Sequence, residues 1–124
     1  MSTEADAAVR LLDATYKALE RCAGTADGCR ECRDLHVAMK ERAVPEHIRE
    51  GLARHVVHHA PTGSFLTAVL ENDLVGALLR ADHINRHALY EIVFFLYNDA
   101  PSPCWGSPAE VKAWLAARPS VGVA

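Results

Sequence analysis

Apolar residues recur along this chain at three- and four-residue spacing, and short clusters of Pro, Gly, Asn and Asp interrupt them. Such a stripe fits the buried side of an α-helix, whereas a half-buried strand needs strict alternation, which no segment shows. Residues 4–21 place Ala8, Leu11, Leu12, Tyr16 and Leu19 on one side of a helix. Two glycines and an Asp within residues 23–28 then break it. A second helix is expected over about residues 29–42, with Cys32, Leu35, His36 and Met39 inward, so that the two form an antiparallel hairpin.

Val44-Pro45 marks a boundary, because proline suits a first helical turn and pushes the residue before it out of helical geometry. Residues 45–59 form the next amphipathic helix, carrying Ile48, Leu52 and Val56. Ser64 is expected to cap a short helix at 64–71, and Asn72-Asp73 to break the chain before another at 73–80. Asp82 caps a longer helix over 83–98, with Ile84, Leu89, Ile92, Val93 and Leu96 inward. After an irregular Pro101–Gly106 segment, Ser107-Pro108-Ala109-Glu110 is a capping box opening a last helix that buries Val111, Trp114 and Leu115. The expected fold is all-α. It is a compact bundle of six or seven short helices, with an N-terminal hairpin (1–43) on a helical core (44–118) and a frayed end (119–124).

With 124 residues, half of them hydrophobic, the chain has the apolar mass for one core without covalent staples. Its N-terminus is polar and acidic, unlike a secretory signal, and its longest apolar run, 92–97, is far short of a membrane span. A cytoplasmic protein is expected, in which four cysteines are thiols or metal ligands before they are disulfides. Residues 44–100 hold 7 acidic against 4 basic side chains, which argues against a surface that tracks nucleic-acid phosphates.

Two passages, PTGSFLTAVLENDLVGALLRAD (61–82) and FLYNDAPSPCWGSPAEVKAWL (95–115), together resemble a family of small proteins associated with bacteriophages and prophage regions of bacterial genomes. The resemblance spans about residues 44–115. It implies an all-helical fold and a phage connection, but no reaction, cofactor or catalytic residue. The cysteine-bearing segment 1–43 lies outside it.

The strongest site chemistry is CRECRDLH (29–36) with Cys22 upstream. Cys29, Cys32 and His36 share one helix face, and Cys22 across the turn completes a Cys₃His set of the kind that holds zinc. A lone CxxC is weaker than paired ones, and the alternatives are a redox pair or plain packing in the hairpin seam. A thioredoxin-like role lacks the βαβ pattern that should precede it. His55 with His59, and His83 with His87, are spaced i, i+4, but neither pair encloses the Glu of HExxH. They are expected to face solvent; a His-based enzyme would need all four to converge. No nucleophile elbow, P-loop or dinucleotide fingerprint is present. The short helices at 64–80 could mimic a helix-turn-helix, but the candidate recognition segment, 73–80, carries one basic residue and is mostly apolar, so it is expected in the core.

The leading expectation is therefore a non-enzymatic protein of phage type that binds a protein or ribonucleoprotein partner. Its role would be host interaction or anti-defence, such as inhibition of a CRISPR-type complex. Glu46, Glu50, Glu71, Asp73, Asp82 and Glu91 would face a basic partner, and Trp105 would anchor it. The alternative is a zinc-binding helical module built on Cys22, Cys29, Cys32 and His36.

Overall fold

The computed structural model describes residues 22–117, and among these every regular element is helical. In chain order these are α1 (Arg30–Glu41), α2 (Glu46–His58), α3 (Ser64–Leu70), α4 (Leu74–Arg80), α5 (His83–Asp99), a 3-10 turn at Ser102–Cys104, and α6 (Pro108–Ala116). The helix expected over 4–21, hence half of the expected hairpin, and the tail expected to fray lie outside the described residues.

The punctuation works through caps and left-handed turns. Asp73, Asp82 and Ser107 accept from the backbone N–H groups of Gly76, Asn85 and Glu110, as their spacing predicts. Ser64 does not cap: Gly63 holds the extended cap position and Ser64 opens α3 from within. Three helices end on a non-glycine residue with positive φ: Ala43, His59 and Asn72, at 60°, 53° and 61°. After Ala43, Val44 N–H returns to Met39 O, and after Asn72, Asp73 N–H returns to Ala68 O. Such backward bonds satisfy the last helical carbonyls. They also explain why α3 and α4 are separate helices.

One core runs through the molecule, from Cys32 and Met39 on α1 through Leu52, Leu70, Ile92, Phe95 and Leu96 to Val111. Each fully buried side chain of this size contributes roughly 1.5–3 kcal/mol. α1 packs along α2, and α3 packs on α4. Arg42 at the end of α1 pairs with Asp99 at 2.9 Å and lies over the Phe94 ring, tying α1 to the end of α5.

Two expectations about burial are corrected. On α5, Phe95 is buried, while Ile84 and Val93 face outward. α4 is inverted: Gly76 and Ala77 face in, while Leu74, Val75, Leu78 and Leu79 face out. The helix is only seven residues long and packs on α3, and the space a Cβ on Gly76 would take is filled by the Asp73 carboxylate and the Arg80 side chain.

Candidate metal centre

Cys22, Cys29, Cys32 and His58 bring their ligand atoms within 4.8 Å of one another, and this is the one such metal-holding group among the described residues. Three local structures deliver them. Cys22 opens the loop that precedes α1, Cys29 is the N-cap of α1, Cys32 lies in its first turn, and His58 closes α2. Because α1 and α2 pack along each other and are joined by a tight turn, the start of one meets the end of the other.

The loop is held to α2 at several points. Arg54 Nη1 donates to Ala23 O at 2.7 Å, and His36 Nε2 donates to Gly24 O at 2.6 Å. Gly24 has φ +80° and lies so close to α2 that a Cβ would meet Glu50 O at 2.5 Å. A Cβ on Gly28 would stand 2.5 Å from Cys22 Sγ. Both glycines are therefore required by contact, the first also by conformation.

The distances can be tested against a tetrahedral ion. With Zn–S near 2.3 Å and Zn–N near 2.0–2.1 Å, the edges of the tetrahedron are about 3.8 Å for S···S and about 3.5 Å for S···N. Cys22 Sγ to Cys32 Sγ is 3.6 Å. His58 Nε2 lies 3.6 Å from Cys29 Sγ and 3.5 Å from Cys32 Sγ. These separations are those of ligands around one ion. A metal ion such as zinc fits the donor set and its spacing.

The thiols differ in their surroundings. Burial raises the Cys22 thiol, but hydrogen bonds from the Cys29 and Gly24 backbone, His58 and Cys32 outweigh it and bring the pKa down to about 6. The Cys29 N–H at 3.2 Å is the geometric part of that cradle. Cys32 is fully buried and is pushed well up, first by desolvation and then by the two neighbouring sulfurs. Cys29 is also raised, again chiefly by burial. A cation at the centre reverses this penalty, since a coordinating thiol gives up its proton.

The structure brings together three of the four ligands expected from sequence and replaces the fourth. His36 turns to Gly24 O, and His58 stands in the place expected for it. A helix separates Cys29 from His36 by about 10.5 Å along its axis, too far for side chains to converge on one ion without strain. His58 was missed because it lies 26 residues from Cys32. Its signal was the cluster of His55, His58 and His59 in the last turn of the helix that follows α1.

Neither His55 nor His59 faces solvent freely, contrary to expectation. His55 is buried between Ala60 O and Cys104 O, at 3.1 and 2.8 Å. His59 stacks on Trp114 with ring centroids 3.9 Å apart and donates to Trp114 O. Trp114 Nε1 in turn donates to His55 O at 2.7 Å, satisfying a carbonyl at the end of α2. His83 and His87 are exposed on α5, in edge contact with each other, so the four imidazoles do not converge.

The expected partner surface is divided. Glu46 and Glu50 line an open depression beside His47, and Glu50 lies 3.9 Å from Arg54. Glu71 and Asp73 line another, with Arg80. Asp73 and Asp82 are occupied as caps, Asp82 also lying 3.7 Å from His47, and Glu91 is half-buried. Trp105 is half-buried in a narrow groove with Leu74, Ala77, Leu89 and Val93, so it shields the core instead of standing out as an anchor. No described helix is long and apolar enough to cross a membrane. Compared with known proteins, the chain matches no family model, no curated protein and no solved structure.

Proposed function

We propose that this chain is a zinc-binding helical module in which Cys22, Cys29, Cys32 and His58 hold one structural zinc ion. The observation that supports it is the match of three S···S and S···N separations, 3.5–3.6 Å, to edges of a zinc tetrahedron, with all four ligand atoms within 4.8 Å of one another. Three soft thiolates and an imidazole favour zinc over magnesium or calcium. Four protein ligands leave no open position for substrate, so the metal's role is structural and the module is non-enzymatic. Bound zinc ties the 22–29 loop and the first turn of α1 to the last turn of α2. The N–H of Cys29 on Cys22 Sγ steadies a ligand as outer-shell bonds do in other metal sites. Cobalt(II) titration tests this directly. The intense thiolate-to-cobalt absorption of a tetrahedral site is expected, displaced by an equivalent of zinc; a weak octahedral spectrum would refute the reading.

A second reading is favoured by a separate observation. Leu74, Val75, Leu78 and Leu79 on α4, with Ile84, Tyr90, Phe94 and Tyr97 on α5, are large apolar side chains exposed to solvent. Faces of this kind mark protein–protein contacts more often than inert surface. In this reading the module engages a protein or ribonucleoprotein partner, in a host-interaction or anti-defence role of the kind the phage-type resemblance implies. Contact runs through α4 and α5, with the carboxylates Glu46 and Glu50 outside it. A co-purified partner should be lost on Leu79→Glu or Tyr97→Glu and retained on Glu46→Lys. The opposite pattern would return the interface to the acidic residues.

A further inference from the structure

The three thiols of the metal centre also have the geometry of an exchange site. Cys22 Sγ stands 3.6 Å from Cys32 Sγ, and a disulfide bond is about 2.05 Å, so a shift of less than about 2 Å joins them. That shift falls on a loop residue: Cys22 precedes α1, whereas Cys32 is fixed in its first turn. The two sulfurs are not equivalent. Cys22 is half-buried, and its sulfur accepts the Cys29 N–H at the start of α1. Cys32 is fully buried, with His58 Nε2 3.5 Å from its sulfur. Backbone donors at a helix start favour an attacking thiolate. A fully buried thiol, reached only after the half-buried one has reacted, suits the resolving position.

We propose that Cys22 and Cys32 form a thiol–disulfide exchange site for a low-molecular-weight disulfide of the glutathione class, and that oxidation at this pair expels the metal. The part concerning metal release rests on the zinc reading; the exchange itself rests on the geometry of the sulfurs. In the first step Cys22 thiolate attacks one sulfur of the small disulfide. A mixed disulfide forms, the small S–S bond breaks, and one small thiolate leaves and takes a proton from water. In the second step Cys32 is the nucleophile, its proton passing to water in the metal-free chain and already absent where the metal holds it as a thiolate. Cys32 sulfur attacks the Cys22 sulfur, the mixed bond breaks, and the second small thiolate takes a proton from water. Two protein thiols are oxidised and one small disulfide is reduced to two thiols. Two of the four metal ligands are consumed, so metal and disulfide exclude each other. Cys29 faces His58 at 3.6 Å and is left with it as an incomplete ligand pair. Cys104 is buried elsewhere in the fold, at the end of the 3-10 turn with its carbonyl held by His55, and stays reduced.

The test is to treat the full chain, zinc-loaded and zinc-free, with oxidised glutathione, mapping disulfides by proteolysis and mass spectrometry. Released zinc is followed with a chromophoric chelator. The expected result is a single Cys22–Cys32 disulfide in both preparations, with one zinc released per disulfide in the loaded one. Cys32→Ser should halt at glutathionylated Cys22, which fixes the order of attack. A Cys29–Cys32 link in the wild-type chain, or thiols that survive in both preparations, would overturn the proposal, and neither result depends on a variant folding. A Cys22–Cys32 disulfide in a chain that never took up zinc would sustain the exchange site and refute the metal reading alone.

Discussion

The thiol end of the molecule and its α4–α5 side are built in opposite ways. At the thiol end, polar groups converge and are engaged: Cys29 N–H by Cys22 Sγ, Gly24 O by His36, and His55 O by Trp114. On the α4–α5 side, apolar groups point outward, with Leu79 80% and Tyr97 78% exposed. The first region is made of helix ends, the second of helix faces. Helix ends carry unpaired backbone donors and acceptors that attract polar side chains from distant segments. Helix faces carry packing, and on this side of the described residues large apolar side chains are left open to solvent. The difference teaches that site chemistry here gathers where helices begin and stop.

Removing the metal should have the largest effect on this contrast. Structural zinc sites release on the order of 10 kcal/mol on binding in small domains. Chelation should therefore lower the urea midpoint sharply and deprotect the amides of 22–36 and 55–60 in hydrogen exchange, leaving α4 and α5 less affected. Uniform loss of protection would dissolve the distinction between the two regions.

Next in size is one substitution made twice. Leu52→Ala, at a fully buried position, should cost about 2–5 kcal/mol. Leu79→Ala should stay within about 0.5 kcal/mol of wild type by chemical denaturation. Comparable losses would mean that α4 is covered in solution.

Trp114→Phe keeps an aromatic ring, smaller than the indole, and deletes the N–H that reaches His55 O. A cost of about 0.5–1.5 kcal/mol is expected for the lost hydrogen bond, since His55 O keeps its bond from the His59 N–H, read as a shifted urea midpoint at unchanged slope. A neutral result would mean that water takes the place of the indole.

The smallest effect concerns reactivity. In the metal-free chain, Cys22 has a pKa lowered to about 6, so its thiolate is the major form at pH 7 and is lost as the pH falls through that value. Cys104 is pushed up to about 11 by burial and stays protonated throughout. Iodoacetamide at pH 7 should label Cys22 far ahead of Cys104, with a rate profile bending near pH 6. Equal labelling would remove the asymmetry assigned to the two thiols.

Much of the fold was legible because its signals are local. Asp73, Asp82 and Ser107 each cap a backbone N–H three residues on, so boundaries could be read from short windows. The inversion of α4 could not be read, since a run of Leu and Val carries no sign of which side a neighbour will occupy. For the site, Cys22, Cys29 and Cys32 were legible from their spacing. His58 was not, because its place depends on α1 and α2 packing along each other. That packing carries the same clue in reverse. Once the start of α1 is known to meet the end of α2, the last turn of α2 is where a fourth ligand belongs.

The central claim is that His58, not His36, completes the metal centre with the three cysteines. Native mass spectrometry of the wild type, His58→Ala and His36→Ala after equilibration with zinc at equal concentration tests it most directly. One zinc per chain is predicted for the wild type and for His36→Ala, with loss or strong weakening in His58→Ala. A wild type without zinc, or a His58→Ala chain that holds it as tightly as the wild type, would contradict the account.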